Sequence, residues 1–291
     1  MTIEEFQRLT QRTVLLDGAT GSCLMAAGMP RGTCTERWIL DHKDVIQKLQ
    51  REYVEAGSQV LYAPTFGANR INLTMHGLEQ DIVKLNTTLV SYTKEVAGHR
   101  AFVGGDITTT GKMMAPAGDL TYETAFETYR EQIRILADAG VDFIIAETMI
   151  NIEETLAAID AARDVCKLPI LCSMTVEADG SIFSGGNALE AAVALEAAGA
   201  SAVGLNCSVG PDQLTAVIRN LHDTVNIPII AKPNAGMPFI DDMGNAHYSM
   251  TPEEFAGHMK VLVDCGATLI GGCCGTTPEY IRQVARTLQL V

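Results

Sequence analysis

Near the end of the chain two adjacent cysteines, Cys273 and Cys274, stand between glycines in the run GGCCGTTP over 271–278. The thiolate is the form of cysteine that binds metals, and it is a soft ligand. Adjacent residues of a regular strand point to opposite faces. Both sulfurs reach one site only if the strand ends there and the backbone turns, which the flanking glycines permit. The pair alone supports two readings. It is either two small apolar residues at a strand end, since free cysteine packs as a small hydrophobe, or two ligands of one cation.

The elements that must position this pair are legible as short apolar runs alternating with longer segments of helical periodicity. The runs predict strands over 13–19, 59–66, 101–107, 142–148, 169–176, 202–208, 228–233 and 267–274. Their continuous apolar character suits strands buried on both faces. Helical spacing covers 44–56, 81–97, 122–139, 152–166, 187–198, 211–225, 252–265 and 278–288. Pro211, Pro252 and Pro278 mark helix starts. Gly57, Gly140, Gly199 and Gly266 close helices ahead of every second strand, as a left-handed cap requires.

Eight strand–helix units predict an α/β fold, a single (β/α)8 TIM barrel with 1–291 as one domain. A doubly wound sheet usually has fewer strands and often opens on a glycine-rich phosphate loop, and none follows the first strand. Helix-to-strand connections are short. Strand-to-helix connections over 20–43, 67–80, 108–121 and 234–251 are long. Length therefore gathers on the C-terminal face, where barrel enzymes place their sites.

Bulk properties narrow the function. The chain has 291 residues, 47% hydrophobic and 19% charged, with a formal net charge of −14 and a sequence pI of about 4.8. That charge argues against nucleic acid or an anionic membrane surface as partner. No apolar run reaches transmembrane length, and the polar, acidic stretch over 1–8 has no signal-peptide pattern. A cytoplasmic location is expected, and eight cysteines then read as reduced thiols or metal ligands.

On the barrel reading, Asp17-Gly18-Ala19 ends the first strand, Glu147 the fourth, Asn206-Cys207 the sixth and Cys273-Cys274 the eighth. All face one mouth. Cys207, Cys273 and Cys274 meet across it, since only the seventh strand separates their strands. Three thiolates with one open position make a catalytic rather than a structural zinc arrangement. No fourth ligand has matching spacing, and none of the six histidines stands in a ligand pattern. Blander readings accompany these. Asp17-Gly18 also reads as a turn and Glu147 as a solvated strand-end carboxylate. Cys166, Cys172 and Cys265 read as core. Cys23 and Cys34 lie in the first long loop, where pairing or metal binding is the weaker reading. SGGN over 184–187 reads as a turn plus helix cap rather than an anion loop.

Four motifs together resemble the homocysteine S-methyltransferase family: DGATGS over 17–22, GLNCSVGP over 204–211, KPNAGMP over 232–238 and GGCCGTTPEYI over 271–281. The nearest branch is the homocysteine-binding barrel of cobalamin-dependent methionine synthase, and betaine–homocysteine methyltransferase is more distantly similar. The resemblance covers nearly the whole chain. It implies that Cys207, Cys273 and Cys274 ligate Zn2+ and hold homocysteine as a zinc-bound thiolate for methylation to methionine. It implies that Asp17 and the backbone of Gly18 and Ala19 hold the amino acid's ammonium and carboxylate, and that Glu147 is a second carboxylate directed at the ammonium. Asn206 and Asn234 take supporting roles in the mouth. The chemistry is coherent: a free thiol, with pKa about 8.5, is mostly protonated at neutral pH, and coordination deprotonates it. The sequence contains no D-x-H-x-x-G corrinoid motif, so the expected methyl donor is a separate methyl-corrinoid protein. The alternatives are S-methylmethionine or another small donor, a different thiol acceptor, or a non-catalytic thiolate protein that binds metal or senses redox state.

Overall fold

The computed structural model describes residues 1–241 and 246–290. Residues 242–245 of the expected 234–251 connection, and residue 291, lie outside the described residues. The strands in chain order are β1 Val14–Leu15, β2 Val60–Ala63, β3 Phe102–Ile107, β4 Phe143–Met149, β5 Ile170–Met174, β6 Ala202–Asn206, β7 Ile229–Lys232, β8 Pro238–Ile240, β9 Ala246–Tyr248 and β10 Ala267–Ile270. Eight of them form one parallel sheet ordered β1-β10-β7-β6-β5-β4-β3-β2, and β8 and β9 form a separate antiparallel hairpin. The order is that of a nearly closed eight-stranded barrel surrounded by helices, as expected.

The helices are α1 Ile3–Leu9, α2 Gly21–Ala26, α3 Thr35–Asp41, α4 Lys43–Glu55, α5 Arg70–Thr74, α6 Ile82–Ala97, α7 Tyr122–Asp138, α8 Ile152–Val165, α9 Ala188–Ala198, α10 Thr215–Thr224, α11 Pro252–Asp264 and α12 Pro278–Thr287. The four glycine stops hold: Gly57, Gly140, Gly199 and Gly266 have φ of 109°, 79°, 102° and 109°. The expected helix over 211–225 is broken in two, a 3-10 turn Pro211–Gln213 and then α10. Further elements went unforeseen, among them α5 in the second long loop. The first long loop holds α2 and α3, and the loop after β7 holds the β8–β9 hairpin. The polar N-terminus forms α1 through a capping box between Thr2 and Glu5.

Alternation sorts each strand into an outward and an inward row. Val14, Leu16, Val60, Tyr62, Phe143, Ile145, Leu171, Ala202, Ile230 and Leu269 fill the barrel, and Phe6 of α1 packs with them from below. The outward row packs with the helices in the larger cluster. Above the apolar layers the same inward row continues as Asp106, Glu147, Ser173, Asn206 and Lys232, all buried. A buried polar layer costs free energy unless its members satisfy one another, so the floor of the mouth must be a network.

Between β1 and β2 side chains supplement a single backbone bond. The Gln59 amide donates to Leu15 O at 2.7 Å, and Gln59 Oε1 accepts from Leu15 N at 3.2 Å. One step up, the Tyr62 amide donates to Asp17 Oδ2 at 2.8 Å. Asp17 thus serves the barrel wall as an acceptor.

Candidate active site

β10 ends at Ile270, before the cysteine pair. A Cβ on Gly272 would lie 2.3 Å from Thr276 Oγ1, so only glycine fits this turn. Gly275 follows at φ 82°. The Thr276 hydroxyl donates to Cys273 O at 2.6 Å and closes the turn. The strand does end and the backbone does turn, the condition under which neighbouring sulfurs share a site. β6 likewise ends at Asn206, and Cys207 and Ser208 both adopt left-handed φ, 62° and 61°. Thr148, past Glu147 on β4, has φ 58°. Such conformations cost about 1–3 kcal/mol each for residues other than glycine and concentrate where geometry is functional.

β7 supports both arms. The Cys207 amide donates to Lys232 O at 3.1 Å, and the Cys273 amide donates to Pro233 O at 2.8 Å. The three Sγ atoms lie within 4.8 Å of one another, with Cys207 and Cys274 3.9 Å apart. Tetrahedral zinc with sulfur at about 2.3 Å separates its sulfurs by about 3.8 Å, so the donor set and spacing fit that ion. Among the described residues no other cluster of three or more His, Cys, Asp or Glu side chains meets that geometry. The remaining five cysteines are free thiols. Cys172 and Cys265 are buried as expected, and Cys166 is half-buried at the end of α8.

The sulfurs divide charge unequally. Hydrogen bonds from Cys273 and Cys274 draw the Cys207 thiol down to about 3. The hydrogen bond to Cys207 pushes Cys274 up to about 11 and raises Cys273 well above the ordinary thiol value. Asn206 braces the cluster. Its Oδ1 accepts from Thr148 N at 2.9 Å and Ser173 Oγ at 2.7 Å. Its Nδ2 donates to Thr148 Oγ1 at 2.7 Å and approaches Cys273 Sγ at 3.8 Å. Asn234 Nδ2 donates to Ser208 O at 3.1 Å, and the Asn234 side chain also hydrogen-bonds Cys207. Tyr248 of β9 hydrogen-bonds Cys274 and fills the space a Gly275 side chain would need.

A cavity of about 310 Å³ joins the sulfurs to the carboxylates, lined among others by Asp17, Asp106, Glu147, Lys232, Cys207 and Cys273. Gly18 and Ala19 also line it. The Ala19 amide donates to Thr276, at 3.1 Å to its carbonyl, and a Cβ on Gly18 would meet Tyr53 at 2.8 Å. Lys232 stands between the expected carboxylates. Its Nζ is 3.0 Å from Asp17 Oδ1, 3.2 Å from Glu147 Oε1 and 3.9 Å from the Tyr62 ring centroid. Burial opposes the charged lysine, but Asp17 and Glu147 outweigh it and hold it ionised. Lys232 and Asp106 were not among the expected site residues. The alternation that turns Glu147 inward turns both inward too, and that signal was available.

The sequence profile described as homocysteine S-methyltransferase matches residues 14–288. The chain belongs to the homocysteine S-methyltransferase family. Methionine synthase of Mycobacterium leprae is 31% identical over 297 residues, covering 96% of this chain and 24% of that protein. Its counterpart from Mycobacterium tuberculosis is 31% identical over 295 residues, covering 95% and 25%. The chain thus spans about a quarter of the length of these curated relatives. Among solved structures, the Escherichia coli homocysteine methyltransferase MmuM in its oxidized form superposes with TM-score 0.80 at 21% identity, covering 94% of this chain and 95% of that one. The metallated form of MmuM gives 0.79 at 20% identity, covering 98% and 99%. At such identity the likeness shows a shared fold, and it extends over nearly the full length of both chains. No helix among the described residues is long and apolar enough to cross a membrane.

Proposed function

We propose that residues 1–291 form one barrel domain that methylates homocysteine to methionine, with zinc held by Cys207, Cys273 and Cys274. The observation that carries the reading is the pairing of three convergent sulfurs with a charged carboxylate floor across one cavity. Zinc in that position supplies Lewis acidity that keeps a substrate sulfur ionised at neutral pH. The chain's own residues do the rest. Glu147 and Asp17, arranged around Lys232, form the end of the cavity that receives the amino acid's ammonium. Gly18 and Ala19 border its carboxylate. Asn206 and Asn234 hold the cysteine arms in place. The amino-acid end fixes the acceptor's position, so methyl transfer becomes a matter of in-line approach from the open mouth. No general base is required at the moment of transfer.

The methyl donor in this reading is a methyl-corrinoid protein acting in trans, in keeping with the likeness to methionine synthases. S-methylmethionine is the second candidate. A screen of methylcob(III)alamin, a methylated corrinoid protein and S-methylmethionine for methionine formation separates them, and turnover with the sulfonium alone rules out the corrinoid. Metal analysis of purified protein should find one zinc per chain. Homocysteine should become alkylatable at neutral pH only in its presence. Cys273→Ser should lose the metal and the activity together. Retention of both would remove Cys273 from the site.

A further inference from the structure

Thr148 is held where a β-branched residue seldom goes. Its φ is 58°, an outlier for such a side chain. The strain has a geometric effect. Glu147 faces inward, so regular alternation would turn Thr148 outward, yet both line the cavity. Strained residues persist only where their surroundings over-determine them, and here one side chain does most of that. Asn206 is 1% exposed. Its Oδ1 accepts from the Thr148 amide at 2.9 Å and from Ser173 Oγ at 2.7 Å. A backbone amide can only donate, so it fixes which end of the Asn206 carboxamide it meets. The other end, Nδ2, lies 2.7 Å from Thr148 Oγ1, and it too can only donate. Thr148 Oγ1 must therefore accept there, and its own proton points elsewhere. Among the described residues nothing accepts that proton. The hydroxyl stands beside the sulfurs: the Nδ2 that reaches its oxygen is 3.8 Å from Cys273 Sγ.

Resting on the reading of the cavity as a homocysteine site, we propose that Thr148 is a further catalytic residue whose hydroxyl donates a hydrogen bond to the acceptor's sulfur once that sulfur is a thiolate. The bond has two effects of opposite sign. It strengthens binding, since hydrogen bonds to an ionised partner are the strong ones. It also draws electron density from the sulfur and so lowers the reactivity of each bound thiolate. What is gained in return is direction: one lone pair is occupied at the wall, and another is left to face the mouth. The left-handed backbone and the two bonds to Asn206 keep the hydroxyl in that place.

Those opposite signs make the test. Homocysteine and 2-aminobutanoate, the same amino acid without its thiol, are titrated by calorimetry into zinc-loaded wild type, Thr148→Val and Thr148→Ser. At saturation the bound homocysteine is then treated with methyl iodide, where the S–C bond forms as the C–I bond breaks and iodide leaves. Thr148→Val removes the proton at nearly constant volume. It should weaken homocysteine about 10- to 100-fold, the worth of one hydrogen bond to a charged group, and leave 2-aminobutanoate unchanged. The rate of methylation per bound thiolate should rise. Thr148→Ser, which keeps the hydroxyl, should restore both values. Undiminished homocysteine binding by Thr148→Val, equal losses for both ligands, a rate that falls with affinity, or no rescue by serine overturns the assignment. Equal binding of both ligands by wild type overturns the homocysteine reading itself, and the assignment with it. Should Thr148→Val lose zinc, Thr148→Ala, which is not β-branched, must show the same selective loss at full zinc occupancy. Loss of zinc there too makes Thr148 a support of the cysteines and overturns its role at the substrate.

Discussion

Lys232 is the residue on which the charged half of the site depends. It is buried with two carboxylates, and such a set is stable only while complete. Lys232→Met leaves Asp17 and Glu147 facing each other without a counter-ion. The expected loss is about 3–5 kcal/mol, the usual cost of breaking a buried pair, read by urea unfolding. Adding Asp17→Asn should recover part of it, since the unpaired charge is then gone. The sulfur half responds to pH instead. Cys273 and Cys274 are held as thiols by hydrogen bonding within the trio, and a divalent cation needs all three as thiolates. Cation uptake therefore releases protons, and affinity rises with pH and falls as the medium is acidified. Calorimetry in buffers of different ionisation enthalpy measures the protons released. Affinity independent of pH between 6 and 8 would contradict the trio as ligands. Asn206→Ala, which removes the brace on Thr148 and Cys273, should lower metal affinity about 10- to 100-fold, as lost outer supports do, measured by chelator competition.

At the scale of elements, the decisive parts are the turns after the strands. Gly272→Ala puts a methyl group 2.3 Å from Thr276, which the turn accommodates only by swinging Cys273. Metal content per chain should fall while the circular dichroism spectrum stays that of the parent, because the barrel lies below the turn. An unchanged zinc stoichiometry would mean that the turn relaxes without moving the sulfur. These turns also explain what the sequence revealed. The strands were legible because both their faces are apolar, and the helices because of their period and their glycine and proline stops. Cys207, Cys273 and Cys274 were legible as strand-end residues on strands either side of the seventh. Lys232 and Asp106 were passed over although they occupy the inward row. Continuous apolar runs hide alternation, and Asp17 and Glu147 alone stood out as charges at strand ends. The hairpin β8–β9 was hidden because three-residue strands beside glycine and asparagine carry almost no periodic signal, and with it Tyr248 at Cys274. Strands were also expected too long: 267–274 is ordered as β10 only to Ile270, since left-handed residues and glycines take over once polar side chains replace the core.

For the whole molecule, the barrel separates stability from chemistry along its axis. Apolar layers and Phe6 hold the lower half, and the long connections above can vary with little effect on it. The strand β7 is the exception. Two amides from either side, Cys207 and Cys273, bond consecutive carbonyls of Lys232 and Pro233, and the Ala235 amide returns to Cys274 O at 3.0 Å. β7 is thus a ruler on which the spacing of all three sulfurs is measured. Its consequence is a limit on chain length as opposed to composition. One residue added between Ala231 and Ala235 shifts one arm past the other by about 3.3 Å, a strand step, and separates the sulfurs. The same residue added in the exposed stretch over 115–119 leaves them alone. In a library of single-residue insertions and deletions scored for zinc retention, the chain between these two alanines should tolerate neither, even where every substitution there still folds.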